Sequence, residues 1–351
     1  MTETTYLAPE PLAPPAIGKE HFSENSAWRV KSLLVWNAFV LLILVAVCAC
    51  GLVSVRQLFS SPSVMNMLAR ILPLLLLVAP MVMIASAGGL DLSIGATAAL
   101  VAIVMATMLN EGFNVGLSFI IAMLPALAIG LINAGLVGLL RIHGALVTIA
   151  MAAVLGGLSR LFTGGMTMVV RPGDKLGFLR KYVYESIPIW IVVVIFLLSC
   201  VALVQLTPLG RRRRPARQLE EPLGRRFVFT GLPYVLSSLM AGVAGALWLG
   251  RVGAARSTQD FGMEFGIIFA VVLGGLCLRG GFGSVVGSVL ALMVLVIAQT
   301  IMLMQGLHWE VIQLITGAML LLALLLSQLY YLIVSAMYRP GVRTEPLPIP
   351  R

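Results

Sequence analysis

The chain has 351 residues, 60% of them hydrophobic and 11% charged, with a formal net charge of +10 and a mean hydropathy of +1.02. A soluble domain cannot hide that much apolar surface, so the composition specifies an integral membrane protein and leaves no stretch for a separate soluble ATPase, ligand-catching or enzymatic module. A spanning helix takes about 20 apolar residues, which leaves room for about ten spans and little else.

Residues 1–32, which open MTETTYLAPEPLAPP, are polar and proline-rich. A secretory signal has an earlier and shorter apolar core, so this stretch reads as a disordered cytosolic tail ahead of a span that stays in the membrane. Apolar runs then predict spans over 33–54, 65–87, 92–109, 115–140, 145–164, 188–207, 227–250, 263–278, 285–306 and 311–337. Residues 33–337 thus form one all-α, polytopic transmembrane domain, closed by a cytosolic tail over 338–351. Glycines interrupt the third and eighth spans. Pro73 and Pro80 fall in the second, Pro125 in the fourth and Pro233 in the seventh, where each removes a helix hydrogen bond.

Orientation follows from Lys and Arg in short loops. The loop over 208–226 carries RRRRPARQLEEPLGRR, the densest basic cluster, and belongs in the cytosol. With ten spans both termini are then cytosolic, beside Lys19, Arg29 and Lys31 at one end and Arg339 and Arg343 at the other. Arg171, Lys175, Arg180 and Lys181 fall outside, in a longer loop that also holds Asp174 and Glu185. The positive charge is therefore a matter of topology and membrane lipid, and no nucleic-acid partner is implied. Four cysteines, Cys48, Cys50, Cys200 and Cys277, lie in or beside apolar runs and read as small hydrophobes.

The stretch from Gly274 to Ser288 holds six glycines. Broken backbone at membrane depth survives only where it is buried in protein or lines a polar cavity, and transporters place such breaks along their path. Close packing of helices on small residues is the alternative. The pentapeptides GGLDL at 88–92 and GGLCL at 274–278 hint at internal repetition.

Asp91 is the conspicuous residue: a carboxylate at a helix centre costs about 2.5–3.5 kcal/mol to insert. Gly88 and Gly89 supply a turn before it. Asp91 then reads as a cap on a helix starting near Leu92, accepting the N–H groups of Ser93 and Ile94. A substrate or proton site is the competing reading.

GGLDLSIGATAAL, running through Gly88, Gly89, Asp91, Ser93 and Gly95, resembles the GGIDLSVG signature of the sugar-type permeases of bacterial ABC importers. That family includes the ribose, xylose, galactose and autoinducer-2 systems. Three further segments agree in order: HGALVTIAMAAVLGGLSRLFTGG, LPYVLSSLMAGVAGALWLGRVGAA, and MEFGIIFAVVLGGLCLRGGFGSVVGSVLALMVL. The likeness covers about residues 65 to 335. Departures are Gly266 where the family has Asp, Phe282 where it has Arg, Arg279 where it has Ser, and a loop after the sixth span that lacks the Gly-Gly-Asn element.

The resemblance implies a permease subunit that binds no cofactor of its own, with ATP and Mg on a partner ATP-binding cassette ATPase. A periplasmic solute-binding protein and a second permease chain, identical or paralogous, complete the expected assembly in the inner membrane. The loop segment Pro215, Ala216, Arg217, Gln218, Leu219, Glu220 and Glu221 falls where the family docks its ATPase, and forms one or two helical turns between Pro215 and Pro222. Glu264, Gly274 and Gly275, with Gln299, Thr300, Gln313 and Thr316, are the candidate translocation path, where a hydroxylated solute meets donors and acceptors. Helix–helix hydrogen bonds explain the polar four equally well. Other readings are an ion-coupled secondary transporter using Asp91, an importer for a nucleoside or branched-chain amino acid, and an intramembrane enzyme built from Ser93, His143 and Asp91. Asp91, Arg160 and Glu264 offer less intramembrane charge than ion coupling normally uses, and His143 beside Arg141 in a short loop argues against the enzyme.

Overall fold

The computed structural model describes residues 26–171, 224, 227–257, 263–276 and 284–337. Nine α-helices form among them: α1 (Ser26–Ser54), α2 (Ser61–Ser86), α3 (Ile94–Asn110), α4 (Val115–Ala134), α5 (Gly144–Thr163), α6 (Leu232–Val252), α7 (Met263–Leu273), α8 (Val285–Met304) and α9 (Trp309–Met337). Seven are long and apolar enough to cross a membrane; α3 and α7 are shorter. At 1.5 Å per residue, the 17 residues of α3 and the 11 of α7 reach about 25 and 16 Å, short of a hydrocarbon core about 30 Å thick. Glycine-rich turns border both, as their sequences anticipate. The expected span over 188–207 and the segment 215–221 lie outside the described residues.

The helix that is apolar all round goes to the middle. In α2, 89% of the most apolar window is buried inside this chain, against 11% for α1. On one side of α2, α6 packs with α3 and α4, and α5 leans on α3; on the other, α8 packs with α1 and α7, and α7 carries α9. Pro73 and Pro80 sit inside α2, both buried, so the carbonyls they leave open face protein and not lipid. Pro125 lies inside α4. Pro233 differs from expectation: it occupies the first turn of α6, where its missing N–H breaks no bond.

Two π-helical segments, Gly135–Leu139 after α4 and Phe227–Gly231 before α6, pack against each other. A two-residue antiparallel pairing of β1 (Met168–Val169) with β2 (Ala254–Ala255) ties α5 to α6. The Asn110 side chain at the end of α3 donates to Val169 O (3.0 Å) and accepts from Arg171 N (2.9 Å), fastening this strap to α3. Boundaries shift slightly from expectation: α1 starts at Ser26, α3 at Ile94, and α7 stops at Leu273.

The two glycine pentapeptides both end helices, but in different register. Gly88 has φ +83° and Gly89 N–H returns to Ile84 O; Gly275 has φ +92° and Leu276 N–H returns to Val271 O. Each is a left-handed C-cap closed by a six-to-one bond. The structural match sets Gly88 on Gly275, one residue off the sequence match, so the pentapeptide likeness is a shared stop signal and not a structural repeat in that register.

Candidate functional site: a latched turn and a polar cavity

The segment between α2 and α3 is built around Asp91, which is 0% exposed. Its Oδ1 accepts both the Ser93 N–H (2.9 Å) and the Ser93 hydroxyl (2.7 Å). This is an Asx turn, which holds Ser93 in place so that its carbonyl can accept from Thr97 N at 2.8 Å in the first turn of α3. The expected cap therefore takes another form: Asp91 organises the residue that precedes the helix, and α3 opens two residues later than its sequence suggests. The hydroxyl of Ser237 lies beside the carboxylate, and neither it nor Asp91 Oδ2 makes a hydrogen bond of good geometry among the described residues.

Four other helices latch onto this turn. From α4, Asn133 Nδ2 donates to Ser93 Oγ (3.1 Å). From α5, Thr148 Oγ1 accepts the Leu92 N–H (3.0 Å), while its own proton faces Gly144 O (2.9 Å) and Leu90 O (3.2 Å). From α6, the hydroxyl of Tyr234 sits where a Cβ on Gly89 or Gly144 would stand. From α7, the Glu264 carboxylate lies against Gly95, leaving no space for a side chain there. Gly95 is in the first turn of α3, whose exposed N–H groups favour a negative charge. The spacing G-G-x-D-x-S-x-G thus has a physical content: two glycines for the cap and the tyrosine, Asp91 and Ser93 for the turn, Gly95 for the glutamate.

Elsewhere a cavity of about 610 Å³ opens between α2, α8 and α9, with the start of α7 at its edge. Arg70 Nη2 donates to Gln299 Oε1 (2.9 Å), and Gln299 Nε2 donates to Thr316 Oγ1 (3.1 Å). Gln313, Trp248 and Trp309 also line it.

The proposed path residues therefore divide. Gln299, Gln313 and Thr316 meet at the cavity. Thr300 turns back to its own helix, donating to Val296 O (2.7 Å). Glu264 belongs to the latched turn. Gly274 packs on Ser288 and Gly275 on Trp36, so the glycine pair serves the closely packed α1–α7–α8 contact. Its neighbours include the Trp36 indole, which donates to Leu273 O (2.7 Å). Ser93 and Asp91 share the turn, whereas His143 precedes α5 with no side-chain cap bond; no triad forms. Sequence reading overlooked Arg70, Asn133, Thr148 and Tyr234. Arg70 gave a signal, being, like Arg160, a cation inside an otherwise apolar predicted span.

Comparisons with known proteins agree with this architecture. Residues 63–324 match the family described as branched-chain amino acid transport system / permease component. The chain is 31% identical over 266 residues to the autoinducer 2 import system permease protein LsrC of Photorhabdus luminescens, covering 72% of this chain and 78% of that one. It is 30% identical over 313 residues to the probable ABC transporter permease protein y4mJ of Sinorhizobium fredii, covering 86% and 90%. An LsrC of Yersinia pestis is 28% identical over 276 residues, covering 77% and 75%. No solved structure matches the chain significantly.

Proposed function

The chain belongs to this family of transport-system permease components, and from that premise we propose that it is the membrane subunit of an ATP-driven, binding-protein-dependent importer for a sugar-like solute. The observation that carries the reading is the likeness, across most of the helical body, to permeases named for autoinducer 2 import. The latched turn supports it, because the residues of the sugar-type signature are those that bind α2 to α7 around Asp91.

In this assembly a second permease chain faces the first, a cytosolic ABC ATPase holds ATP and Mg, and a periplasmic binding protein delivers the solute. The basic loop over 208–226 faces the cytosol together with both termini, and its segment 215–221 contacts the ATPase. The π segment Phe227–Gly231 follows that loop directly, and Tyr234, one turn on, plugs into the signature turn at Gly89 and Gly144. A displacement passed to Phe227–Gly231 therefore has a short mechanical route to the junction of α2 and α3. The description of the matched family favours a second substrate class, a branched-chain amino acid.

Purification of the tagged full chain from its native membrane tests the assembly. Co-purification of an ABC ATPase in equal amount is expected. A chain that purifies alone under gentle detergent, and that gains no partner on crosslinking, contradicts the proposal.

A further inference from the structure

If the chain is a permease driven by a partner ATPase, as proposed above, a displacement made at the start of α6 must reach the other helices. The structure of that start is suited to the task. Phe227–Gly231 is a π segment packed on a second one, Gly135–Leu139. Their backbones come close, since a Cβ on Gly138 would stand 3.2 Å from Gly231 Cα. The hydrogen bonds of a π segment enclose one residue more than those of an α-helix, so such a segment can take up a displacement by changing register. Phe227–Gly231 makes its main contacts with the facing π segment, α4 and α6.

Tyr234, three residues on, reaches α2 and α5 instead. It is 2% exposed, and its hydroxyl is wedged between the Gly89 and Gly144 backbones, where a Cβ on either would overlap it. Beyond it, α6 meets its neighbours through glycines: Gly242 lies against Met123 and Ala126, and Gly245 against the Ala98 backbone. Contacts that smooth let packed helices slide past each other, whereas a ring caught between two backbones interlocks. A cavity of about 100 Å³ lies beside the ring, bordered by Ile84, Gly88, Val137, Thr230 and Pro233. Val137 and Thr230 belong to the two π segments, and Gly88 to the turn before Asp91. We propose that Tyr234 is a positioning residue of the transport cycle: it carries a displacement of the π pair into the turn that holds Asp91, and the cavity is the space in which its ring moves.

Hydrogen–deuterium exchange on the full chain, co-purified with its ATPase in lipid nanodiscs, tests this with ATP and vanadate as the probe. In the parent, trapping with ATP and vanadate changes exchange both at Phe227–Gly231 and over residues 86–97. Tyr234→Phe removes the oxygen that touches both glycines. The response at Phe227–Gly231 then persists, while that over 86–97 falls about tenfold, a size usual for residues that couple two sites. Adding Gly144→Ala places a methyl 3.0 Å from the Tyr234 Cζ position, which fills the gap and restores the response. A side chain that only fills space alters basal exchange in these variants but leaves the response to ATP and vanadate as it was. An equal response over 86–97 in the parent and Tyr234→Phe, no rescue by Gly144→Ala, or no response at either segment in the parent overturns the inference. So does a Tyr234→Phe chain that no longer holds the ATPase, because the hydroxyl would then serve assembly. Any of these results in a complex that contains the ATPase leaves the permease reading standing. A parent chain that binds no ATPase removes that reading itself.

Discussion

Replacing Asp91 by Asn separates a structural carboxylate from a functional one. In Asn the Oδ1 acceptor remains, so the bonds from Ser93 N–H and Ser93 Oγ survive as neutral hydrogen bonds. Charge-assisted bonds contribute about 1.5–3 kcal/mol and neutral ones about 0.5–1.5, so the two together lose roughly 2–3 kcal/mol. Against that, the charge itself disappears from a fully buried site, relieving about 2.5–3.5 kcal/mol on the insertion scale. The new amide also has a neighbour to donate to in the Ser237 hydroxyl beside it. The net change is within about 1 kcal/mol of zero. Asp91→Leu instead strands the Ser93 N–H and hydroxyl, at about 1–3 kcal/mol each, and should destabilise the fold by about 2–6 kcal/mol. Equilibrium unfolding in nanodiscs, read beside transport, is the assay. An Asn variant as stable and well assembled as the parent but unable to transport would refute the reasoning, because the charge would then be needed for the cycle itself.

Thr148→Val should cost about 1–3 kcal/mol by stranding the Leu92 N–H, and Thr148→Ser should restore it, both read by the same unfolding assay. Gly144→Ala drives a methyl into the Tyr234 hydroxyl and should cost about 1–3 kcal/mol as overpacking; adding Tyr234→Phe should recover part of that loss in a double-mutant cycle. Gly245→Ala meets the backbone of Ala98, which cannot move aside as a side chain can, so its penalty of about 1–3 kcal/mol should persist whatever is changed on α3. Cysteines placed at 216–221 should crosslink to a co-expressed ATPase; a chain whose C-terminal tail crosslinks while this segment never does has its coupling contact elsewhere.

The seven long helices were legible because unbroken apolar runs have few alternatives in a chain this poor in charge; the shortness of α3 and α7 was not, and the run over 188–207 lies outside the described residues. The Asp91 turn was legible for the same reason, since a carboxylate there needs local partners. Its details were not. Sequence spacing cannot say whether a carboxylate bonds the helix's own N–H groups or those of the residue before it, and here Ser93 takes both bonds, delaying α3 by a turn fragment. Tyr234 filling the space over Gly89 and Gly144 joins three helices far apart in sequence, a relation periodicity does not encode. Likewise, glycines at 274 and 275 look alike whether they line a path or admit Ser288 and Trp36; only the packing of α1, α7 and α8 decides. Arg70 was visible as a cation in an apolar span, but such a residue reads equally as an interfacial anchor, so its role was not.

Uptake of a radiolabelled polyol into proteoliposomes containing this chain, its ATPase and its binding protein tests the central claim most directly. Accumulation that requires ATP and the binding protein together, and that is indifferent to a protonophore, is the predicted result. Accumulation that proceeds without ATP and collapses when the proton gradient is dissipated would contradict it, and would make Asp91 the coupling group of a secondary transporter.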